Sequence, residues 1–328
     1  MDELRRLARA CLLPTVFLLA SAGMVQQAAA AEPLASWNDG PARERIVAFV
    51  RAVTDPRGTQ FVPPAGRIAV FDNDGTLWSE QPVYFQAAFA FDTARAMAAK
   101  DPALAANPAL AAAAKGDLKA LAEVIALTHA NTTTDEFAAR VREWTRTARH
   151  PTLKRPYTEL TFQPMRELLD YLAANGFSTW IVSGGGVEFI RTFSQEIYGI
   201  PPERVIGSSI KAKYAVRDGV PVIVRLPEID FVDDKEGKPV GIQRQIGQRP
   251  IAAFGNSDGD FQMLEWTTAG AGPRLAMIVH HDDAAREFAY DRGSHIGRLE
   301  RGLDEAAARG WTVISMKGDW KTVYTPRQ

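Results

Sequence analysis

Residues 67–78, with the sequence RIAVFDNDGTLW, constrain the fold of this chain more than any other segment. The apolar run Ile68–Phe71 predicts a short buried strand. Asp72 and Asp74 follow directly, and two carboxylates two positions apart can point into one crevice at the carboxyl edge of an α/β sheet, where ligands bind. Gly75 allows the tight turn that such an approach needs. Taken alone, the segment is more often an acidic turn that caps a strand, so other segments have to decide.

Strands and helices alternate after residue 160, which is the pattern of an α/β protein. Buried strands are predicted at residues 178–182, 251–254, 275–279 and 311–315. This alternation predicts a Rossmann-like, doubly wound parallel sheet with helices on both faces. Continuous helices are predicted over residues 187–197 and 297–309, and Asp218 with Gly219 predicts the turn of a small β-hairpin.

Residues 81–159 form a separate segment in which only helical patterns occur. Apolar side chains recur there at helical spacing, and no strand pattern interrupts them between residues 84 and 149. We therefore predict an all-helical cap of about four helices, inserted into an α/β core made of residues 32–80 and 160–328. Asp135 is predicted to be the N-cap of the last cap helix, over residues 136–149.

The first 31 residues have the three-part pattern of a secretory signal peptide. Three arginines precede an apolar run from Ala10 to Val25, and small residues follow at Ala28 to Ala31. An uncleaved membrane anchor fits less well, because Pro14 interrupts a run that is already short for a bilayer. We therefore expect residues 1–31 to be removed from a periplasmic or secreted protein that is then free of the membrane.

The composition excludes some classes of function. Of the 328 residues, 46% are hydrophobic and 23% are charged, and the formal net charge is −1. This balance shows no basic excess that would favour a nucleic-acid partner. The single cysteine, Cys11, lies in the signal segment, so the mature chain is expected to have neither a disulfide nor a thiol nucleophile.

Three predicted strands end in chemically unusual loops: Asp72 follows the first, Ser183-Gly184-Gly185-Gly186 the second, and Gly255-Asn256-Ser257-Asp258-Gly259-Asp260 a third. In a doubly wound sheet such ends can converge, and a phosphoryl group is the ligand that best explains the combination. Asp72 would attack phosphorus as a carboxylate nucleophile. Asp74 would protonate the leaving oxygen and then activate water. The hydroxyl of Ser183 and the amides of Gly184, Gly185 and Gly186, at the start of a helix, would bind phosphate oxygens.

These motifs, in this order, resemble those of the haloacid dehalogenase (HAD) superfamily of hydrolases. The resemblance rests on Asp72-Asn73-Asp74-Gly75-Thr76-Leu77, the strand into Ser183, a lysine, and the loop from Gly255 to Asp260, and it spans about residues 67–280. Within the superfamily the layout is most similar to phosphoserine-phosphatase-like members with a helical cap after the first motif. The resemblance implies a Rossmann-like core, a Mg²⁺ cofactor and hydrolysis of small phosphomonoesters through an aspartyl-phosphate.

Carried over position by position, the resemblance implies that Asp72 is the nucleophile, Asp74 the general acid and base, and Ser183 a phosphate-binding hydroxyl. Lys238, at the start of a predicted helix, matches the lysine that holds the nucleophile and the phosphate. Lys235 is an alternative, because a lysine side chain can reach the site from either position.

The implied Mg²⁺ ligands are Asp72, Asp74, Asn256 and Asp260. Asn256 stands where many members have an aspartate, so an amide oxygen would replace a carboxylate and one negative charge would be lost. Asp258 is a further carboxylate in the same loop that could compensate. The third ligand therefore stays open among Asn256, Asp258 and Asp260.

Two other polar segments have alternative interpretations. Glu80 lies near the position of a substrate-contacting glutamate in related phosphatases, but it could equally be a solvated loop residue. His280 and His281 suggest a zinc site, yet adjacent residues of a strand point to opposite faces, so polar loop residues are the preferred interpretation.

The leading hypothesis is an exported, Mg²⁺-dependent phosphatase that acts on a small phosphorylated substrate. A phosphotransferase or phosphomutase of the same fold would differ only in that another hydroxyl, instead of water, attacks the aspartyl-phosphate. A protein that binds a phosphorylated ligand without turnover is a third alternative, favoured by Asn256. The identity of the substrate and the oligomeric state do not follow from the sequence.

Overall fold

The structure, a computed structural model, describes residues 33–101, 104, 106–113 and 118–325. The signal peptide expected at residues 1–31 lies outside these ranges. Among the helices of the described ranges, none combines the length and the apolar character needed to cross a membrane.

The predicted α/β architecture is confirmed by a mainly parallel sheet. Its strands in the described residues are β1 (Ile68–Phe71), β2 (Ser178–Gly186), β3 (Val205–Arg217), β4 (Val220–Phe231), β5 (Ala252–Gly255), β6 (Leu275–Asp282), β7 (Ala289–Tyr290) and β8 (Thr312–Ser315). They lie in the order β4-β3-β2-β1-β5-β6-β7, and β8 pairs with β6. The antiparallel pairs are β3 with β4 and β6 with β7.

Helices pack on both faces of this sheet. The described helices are α1 (Pro41–Thr54), α2 (Phe85–Ala98), α3 (Pro108–Ala113), α4 (Leu118–His129), α5 (Thr134–Thr147), α6 (Gln163–Ala174), α7 (Val187–Arg191), α8 (Ser194–Tyr198), α9 (Gly237–Ile246), α10 (Phe261–Thr268), α11 (Arg301–Glu305) and α12 (Met316–Asp319). Because side chains alternate along β1, Ala69 and Phe71 pack with α1 and α6, whereas Ile68 and Val70 pack with α9 and α10.

Strand β1 lies in the middle of the sheet, between β2 and β5. Phe71 is opposite Ile181 of β2 and Phe254 of β5. The rings of Phe71 and Phe254 stack with their centroids 4.4 Å apart. The three strands therefore end at the same edge of the sheet, as predicted.

Helix α5 begins differently from the prediction. Its N-cap is Thr133, whose side chain accepts a hydrogen bond from the amide of Glu136 at 3.1 Å. The Glu136 carboxylate accepts one from the amide of Thr133 at 2.8 Å. This capping box satisfies two amides reciprocally, whereas Asp135 is an exposed residue of the first turn. The prediction of Asp135 as the N-cap was wrong.

Two helices predicted to be long are interrupted or short. Residues 187–197 form α7 and α8, because Phe193 leaves the helical region at φ −131° and packs on Trp78, with the ring centroids 4.7 Å apart. Within residues 297–309 the structure contains only α11. That helix begins where the Asp258 carboxylate accepts hydrogen bonds from the amides of Arg301 and Gly302, at 3.2 and 2.9 Å.

The hairpin formed by β3 and β4 is larger than predicted. Its strands have 13 and 12 residues, and residues 210–231 of it are called the hairpin arm below. Asp218 and Gly219 make its turn, both with positive φ, as expected. The arm also bonds to the helical insertion: the amide of Asn131 donates to the carbonyl of Arg225, and the amide of Arg225 donates to Thr132, both at 2.9 Å. Backbone hydrogen bonds thus join the helical insertion to the hairpin arm, two segments that are far apart in sequence.

Candidate active site

Asp72, directly after β1, forms an ion pair with the buried Lys238 of α9. Nζ of Lys238 lies 2.6 Å from Oδ1 of Asp72 and 2.7 Å from Oδ1 of Asp260, and it donates to the carbonyl of Val182 at 2.8 Å. All three protons of the ammonium group are therefore used. Lys235 is exposed, so Lys238 is the lysine that reaches Asp72.

Burial and charge act in opposite directions on this ion pair. Burial raises the pKa of Asp72 well above its ordinary value, Asp260 and Asp74 raise it further, and Lys238 lowers it. Burial lowers the pKa of Lys238, but the charges of Asp260 and Asp72 outweigh burial, and the pKa is raised overall. The ammonium group therefore keeps its proton. Because Lys238 binds Oδ1 of Asp72 and no described residue donates to Oδ2, that second oxygen is left for a ligand.

Asp74 is held near Asp72 by the turn at Gly75. The indole of Trp78 donates a hydrogen bond to Oδ1 of Asp74 at 2.8 Å. Burial raises the pKa of Asp74, and the hydrogen bond from Trp78 opposes the rise. Gly75 has a φ of +78°, and a Cβ there would lie 2.1 Å from Nδ2 of Asn256, so only glycine fits. A carboxylic acid with a raised pKa beside Asp72 has the property that a general acid needs.

The glycines after Ser183 lie at the start of a helix, as predicted, because Gly186 is the N-cap of α7, but they continue β2 instead of forming a loop. Gly186 pairs with β3 across an irregularity in the strand. The hydroxyl of Ser183 accepts a hydrogen bond from the amide of Gly185 at 3.1 Å, and the amide of Gly186 donates to Oε1 of Gln86 at 2.6 Å. A Cβ on Gly185 would lie 3.5 Å from Oδ2 of Asp74. The segment predicted to bind phosphate therefore lies against Asp74, but one of its amides is bound by Gln86.

Glu80 is 2% exposed, so the interpretation of it as a solvated loop residue was wrong. Nδ2 of Asn256 donates to Oε1 of Glu80 at 2.8 Å, and Oδ1 of Asn256 accepts from the hydroxyl of Thr76 at 3.0 Å. The hydroxyl of Tyr290 also donates to Glu80, at 2.8 Å. Burial raises the pKa of Glu80 well above its ordinary value, and neighbouring carboxylates add to the effect. The side-chain amide of Asn256 is thus hydrogen-bonded directly to the carboxylate of Glu80.

Asp260 and Asp258 bind donors of the protein itself. Oδ2 of Asp260 accepts hydrogen bonds from the amides of Asn256 and Ser257, at 2.9 and 3.0 Å, while its Oδ1 contacts Lys238. Asp258 accepts from the amides that begin α11, at distances of 2.9 to 3.2 Å. Asp260 therefore positions Lys238 and the loop, and Asp258 is committed to the start of a helix.

The donor set of this cavity suits a hard divalent cation. The cavity has a volume of about 330 Å³, and it is lined by one cation, Lys238, and by the acidic residues Asp72, Asp74, Glu80, Asp234 and Asp260. In the described part of the chain, no group of three or more His, Cys, Asp or Glu side chains could hold a metal by itself. Mg²⁺ commonly uses one or two carboxylates together with water and phosphate oxygens. Five acidic residues beside one cation, without a complete set of protein ligands among the described residues, fit that ion.

His281 is a buried residue of β6, so its interpretation as a polar loop residue was wrong. Its Nε2 lies 2.8 Å from the carbonyl oxygen of Gly75, and its Nδ1 lies 3.1 Å from Oε2 of Glu287. His280 lies 3.4 Å from Asp291 instead. The two rings thus have different partners, which gives no support to a shared zinc ion. The alternation of side chains along β6 could have predicted that His281 lies against the segment after β1. No local sequence pattern predicts the contact of Gln86 with Gly186.

The fold and these residues define a hydrolase of the haloacid dehalogenase type, since a central parallel strand ends in two aspartates and a buried lysine holds the first of them. The family model described as "HAD: haloacid dehalogenase-like hydrolase" matches residues 69–265, more than half of the chain. The chain therefore belongs to this family.

Similar solved structures include two proteins of unknown function. One is from Anaerococcus prevotii (18% identity, 74% of this chain and 86% of that chain, TM-score 0.50), and the other is from Bordetella pertussis (20% identity, 76% and 97%, TM-score 0.48). A third is a phosphoserine phosphohydrolase-like protein from Francisella tularensis (18% identity, 74% and 98%, TM-score 0.40). At these identities the likeness concerns the fold alone. No curated protein matches the chain.

Proposed function

We propose that the protein is an exported, Mg²⁺-dependent phosphatase that hydrolyses small phosphomonoesters through an aspartyl-phosphate on Asp72. The observation that carries the proposal is the 2.6 Å contact between Nζ of Lys238 and Oδ1 of Asp72, which leaves Oδ2 of Asp72 for attack on phosphorus. Export rests on the pattern of residues 1–31.

The reaction follows from the two aspartates. In the first step Oδ2 of Asp72 attacks phosphorus, the bond from phosphorus to the ester oxygen breaks, and Asp74 gives its proton to that oxygen. Burial raises the pKa of Asp74, which favours the protonated form that this step needs. In the second step Asp74 takes a proton from water, the water oxygen attacks phosphorus, and the bond to Asp72 breaks. The products are an alcohol and inorganic phosphate, and both aspartates return to their starting state.

The remaining site residues bind and orient the phosphate. The ammonium group of Lys238 compensates the negative charge of the phosphate. The hydroxyl of Ser183 and the amide of Gly184 donate hydrogen bonds to the phosphate oxygens. Glu80 lines the same cavity and is proposed to contact the rest of the substrate. Mg²⁺ would be held by Asp72 and Asp74, and when bound it would supply the charge that lets the phosphate approach Asp72. The other two expected ligands, Asn256 and Asp260, already bind protein donors through their side-chain oxygens.

The test compares two aspartate variants of the purified protein without residues 1–31. Asp72→Asn should abolish hydrolysis of p-nitrophenyl phosphate in the presence of Mg²⁺. Asp135→Asn, at an exposed position of α5, should leave the rate unchanged. Activity retained in Asp72→Asn would overturn the nucleophile assignment.

Product analysis separates the alternatives of the same fold. Transfer of phosphate to added sugar-phosphate acceptors, instead of its release into water, would identify a phosphotransferase or phosphomutase. Calorimetric binding of a phosphomonoester without any turnover would identify a silent binding protein, the alternative that Asn256 favours.

A further inference from the structure

A second cavity, called the side chamber here, adjoins the catalytic cavity. Its volume is about 330 Å³, and its wall is mainly apolar, with Arg225 among the lining residues Ile125, Ile210, Ile223, Ile229 and Phe231. Gln86, Gly184 and Val232 line both cavities. The side chamber therefore begins beside the segment proposed to bind phosphate, and it lies between the helical insertion and the hairpin arm.

Among the described residues, the buried cation Arg225 has no ion-pair partner. It is 6% exposed, its Nε donates to the carbonyl of His129 at 2.9 Å, and its guanidinium stacks on Phe137 at 4.1 Å from the ring centroid. Within the described ranges no carboxylate lies within 4.0 Å of its guanidinium nitrogens, and no acceptor binds its two terminal nitrogens. A buried charge with unused donors is costly unless an anion meets it.

Two carboxylates, those of Glu188 and Glu228, also line the chamber, and the charge of Glu188 raises the pKa of Arg225 without an ion-pair contact. Glu188 pairs with Arg191 at 3.0 Å, and Glu228 pairs with Lys211 at 2.6 Å. Arg140 adds positive charge, since its guanidinium lies 5.8 Å from the same Phe137 ring. Burial lowers the pKa of Arg225 to about 10, so it stays charged at neutral pH. Burial lowers the pKa of His129 to about 3, so that ring is neutral.

A continuous series of contacts connects Arg225 to the segment after Ser183. The amide of Gly186 donates to Gln86, Nε2 of Gln86 lies 3.2 Å from Nε2 of His129, and the carbonyl of His129 accepts from Arg225. A ligand that extends from the catalytic cavity past Gln86 would therefore enter a chamber lined by apolar side chains and by Arg225.

Building on the proposed phosphatase activity, we propose that the side chamber binds the leaving group and that Arg225 binds a carboxylate on it. The substrate class is a phosphomonoester whose leaving group has an apolar body and a carboxylate remote from the ester oxygen. A planar guanidinium with two free nitrogens matches a carboxylate in a bidentate manner.

The test uses ω-carboxyalkyl phosphates of increasing chain length, each paired with its uncharged ω-carboxamide. In the wild-type protein, kcat/KM should favour the carboxylate at one chain length by at least about tenfold, as expected for a charge-assisted hydrogen bond. In Arg225→Gln this preference should fall to about one. Arg217→Gln removes an arginine of the same hairpin arm that pairs with Glu136 at 3.6 Å, and it should keep the full preference.

The two proposals fail in different ways. Hydrolysis of both members of every pair at equal rates by the wild-type protein would overturn the role of Arg225 and leave the phosphatase activity standing. Failure to hydrolyse p-nitrophenyl phosphate or any member of the series would overturn the phosphatase activity itself. The wild-type series decides alone if Arg225→Gln does not fold. A preference that persists in a folded Arg225→Gln variant also rejects the assignment.

Discussion

Nζ of Lys238 lies 2.6 Å from Oδ1 of Asp72, and both side chains are almost completely buried. The same ammonium group contacts Asp260 at 2.7 Å. One cation therefore serves the carboxylate that follows β1 and the carboxylate that precedes α10. This shared ion pair links the stability of the site to its proposed chemistry.

Lys238→Met should damage both stability and activity. It leaves two buried carboxylates without their cation, and breaking a buried ion pair in this way costs about 3–5 kcal/mol. We expect a lower free energy of unfolding in urea and a loss of at least about 100-fold in kcat/KM for p-nitrophenyl phosphate. Lys235→Met, at an exposed position nearby, is the matched control and should change neither quantity. A Lys238→Met variant with wild-type kcat/KM would contradict the role given to this contact.

Gln86→Leu should weaken catalysis without unfolding the protein. In the wild-type protein the amide of Gly186 donates to Oε1 of Gln86 at 2.6 Å. The substitution removes this acceptor, and an unsatisfied amide costs about 1–3 kcal/mol. We expect kcat/KM to fall by about tenfold, while the far-ultraviolet circular dichroism stays unchanged. Gln195→Leu, on the exposed side of α8, should have no effect. Equal rates in the two variants would show that Gln86 does not support the segment after Ser183.

Gly75→Ala tests the turn between the two aspartates. Gly75 has φ +78°, and a Cβ would lie 2.1 Å from Asn256 and 2.5 Å from Glu80. Gly247 has φ +72° with nothing within 4 Å of its Cβ position, so Gly247→Ala measures the backbone strain alone, about 1 kcal/mol. Gly75→Ala should be destabilised clearly more than this control and should lose most of its activity. The measurement is urea unfolding of both variants, and an equal loss of stability would mean that the steric conflict relaxes without cost.

Asp233 makes the stability depend on pH. It is fully buried, and burial raises its pKa from 3.8 to about 7. Below pH 3.8 the folded and the unfolded protein both hold this proton. Between pH 3.8 and about 7 only the unfolded protein releases it, so the free energy of unfolding decreases as the pH rises. The loss is at most about 4 kcal/mol and levels off above the folded pKa.

The experiment for Asp233 measures unfolding free energies across this pH range. Asp233→Asn should gain stability relative to the wild-type protein as the pH increases, because the amide has no proton to release. Asp230→Asn, at an exposed position directly after Ile229 and in neither cavity wall described above, should follow the wild-type curve at every pH. Parallel curves for wild type and Asp233→Asn would show that Asp233 ionises normally in the folded protein.

Much of the fold could be predicted, because its signals are local. Four apolar β-prone runs separated by helical patterns are enough to indicate a doubly wound sheet, and the structure has β1, β2 and β5 side by side. The positions of Asp72, Asp74 and Ser183 at one edge follow from that order. The errors also have local causes: Asp135 is a good N-cap by residue type, but Thr133 has Glu136 three positions later and can form the reciprocal box.

The sequence by itself determined the central strand and the acidic turn after it, since both depend on residues that are neighbours in the chain. Only the tertiary structure decided what surrounds that turn. Gln86 meets Gly186 across 100 positions, and Arg225 meets His129 across 96. Neither contact leaves a periodic pattern, because the first depends on how the helical insertion packs against the end of β2 and the second on how it packs against the hairpin arm. The motif proposed to be catalytic can therefore be predicted from the sequence, whereas the chamber proposed to select the substrate cannot.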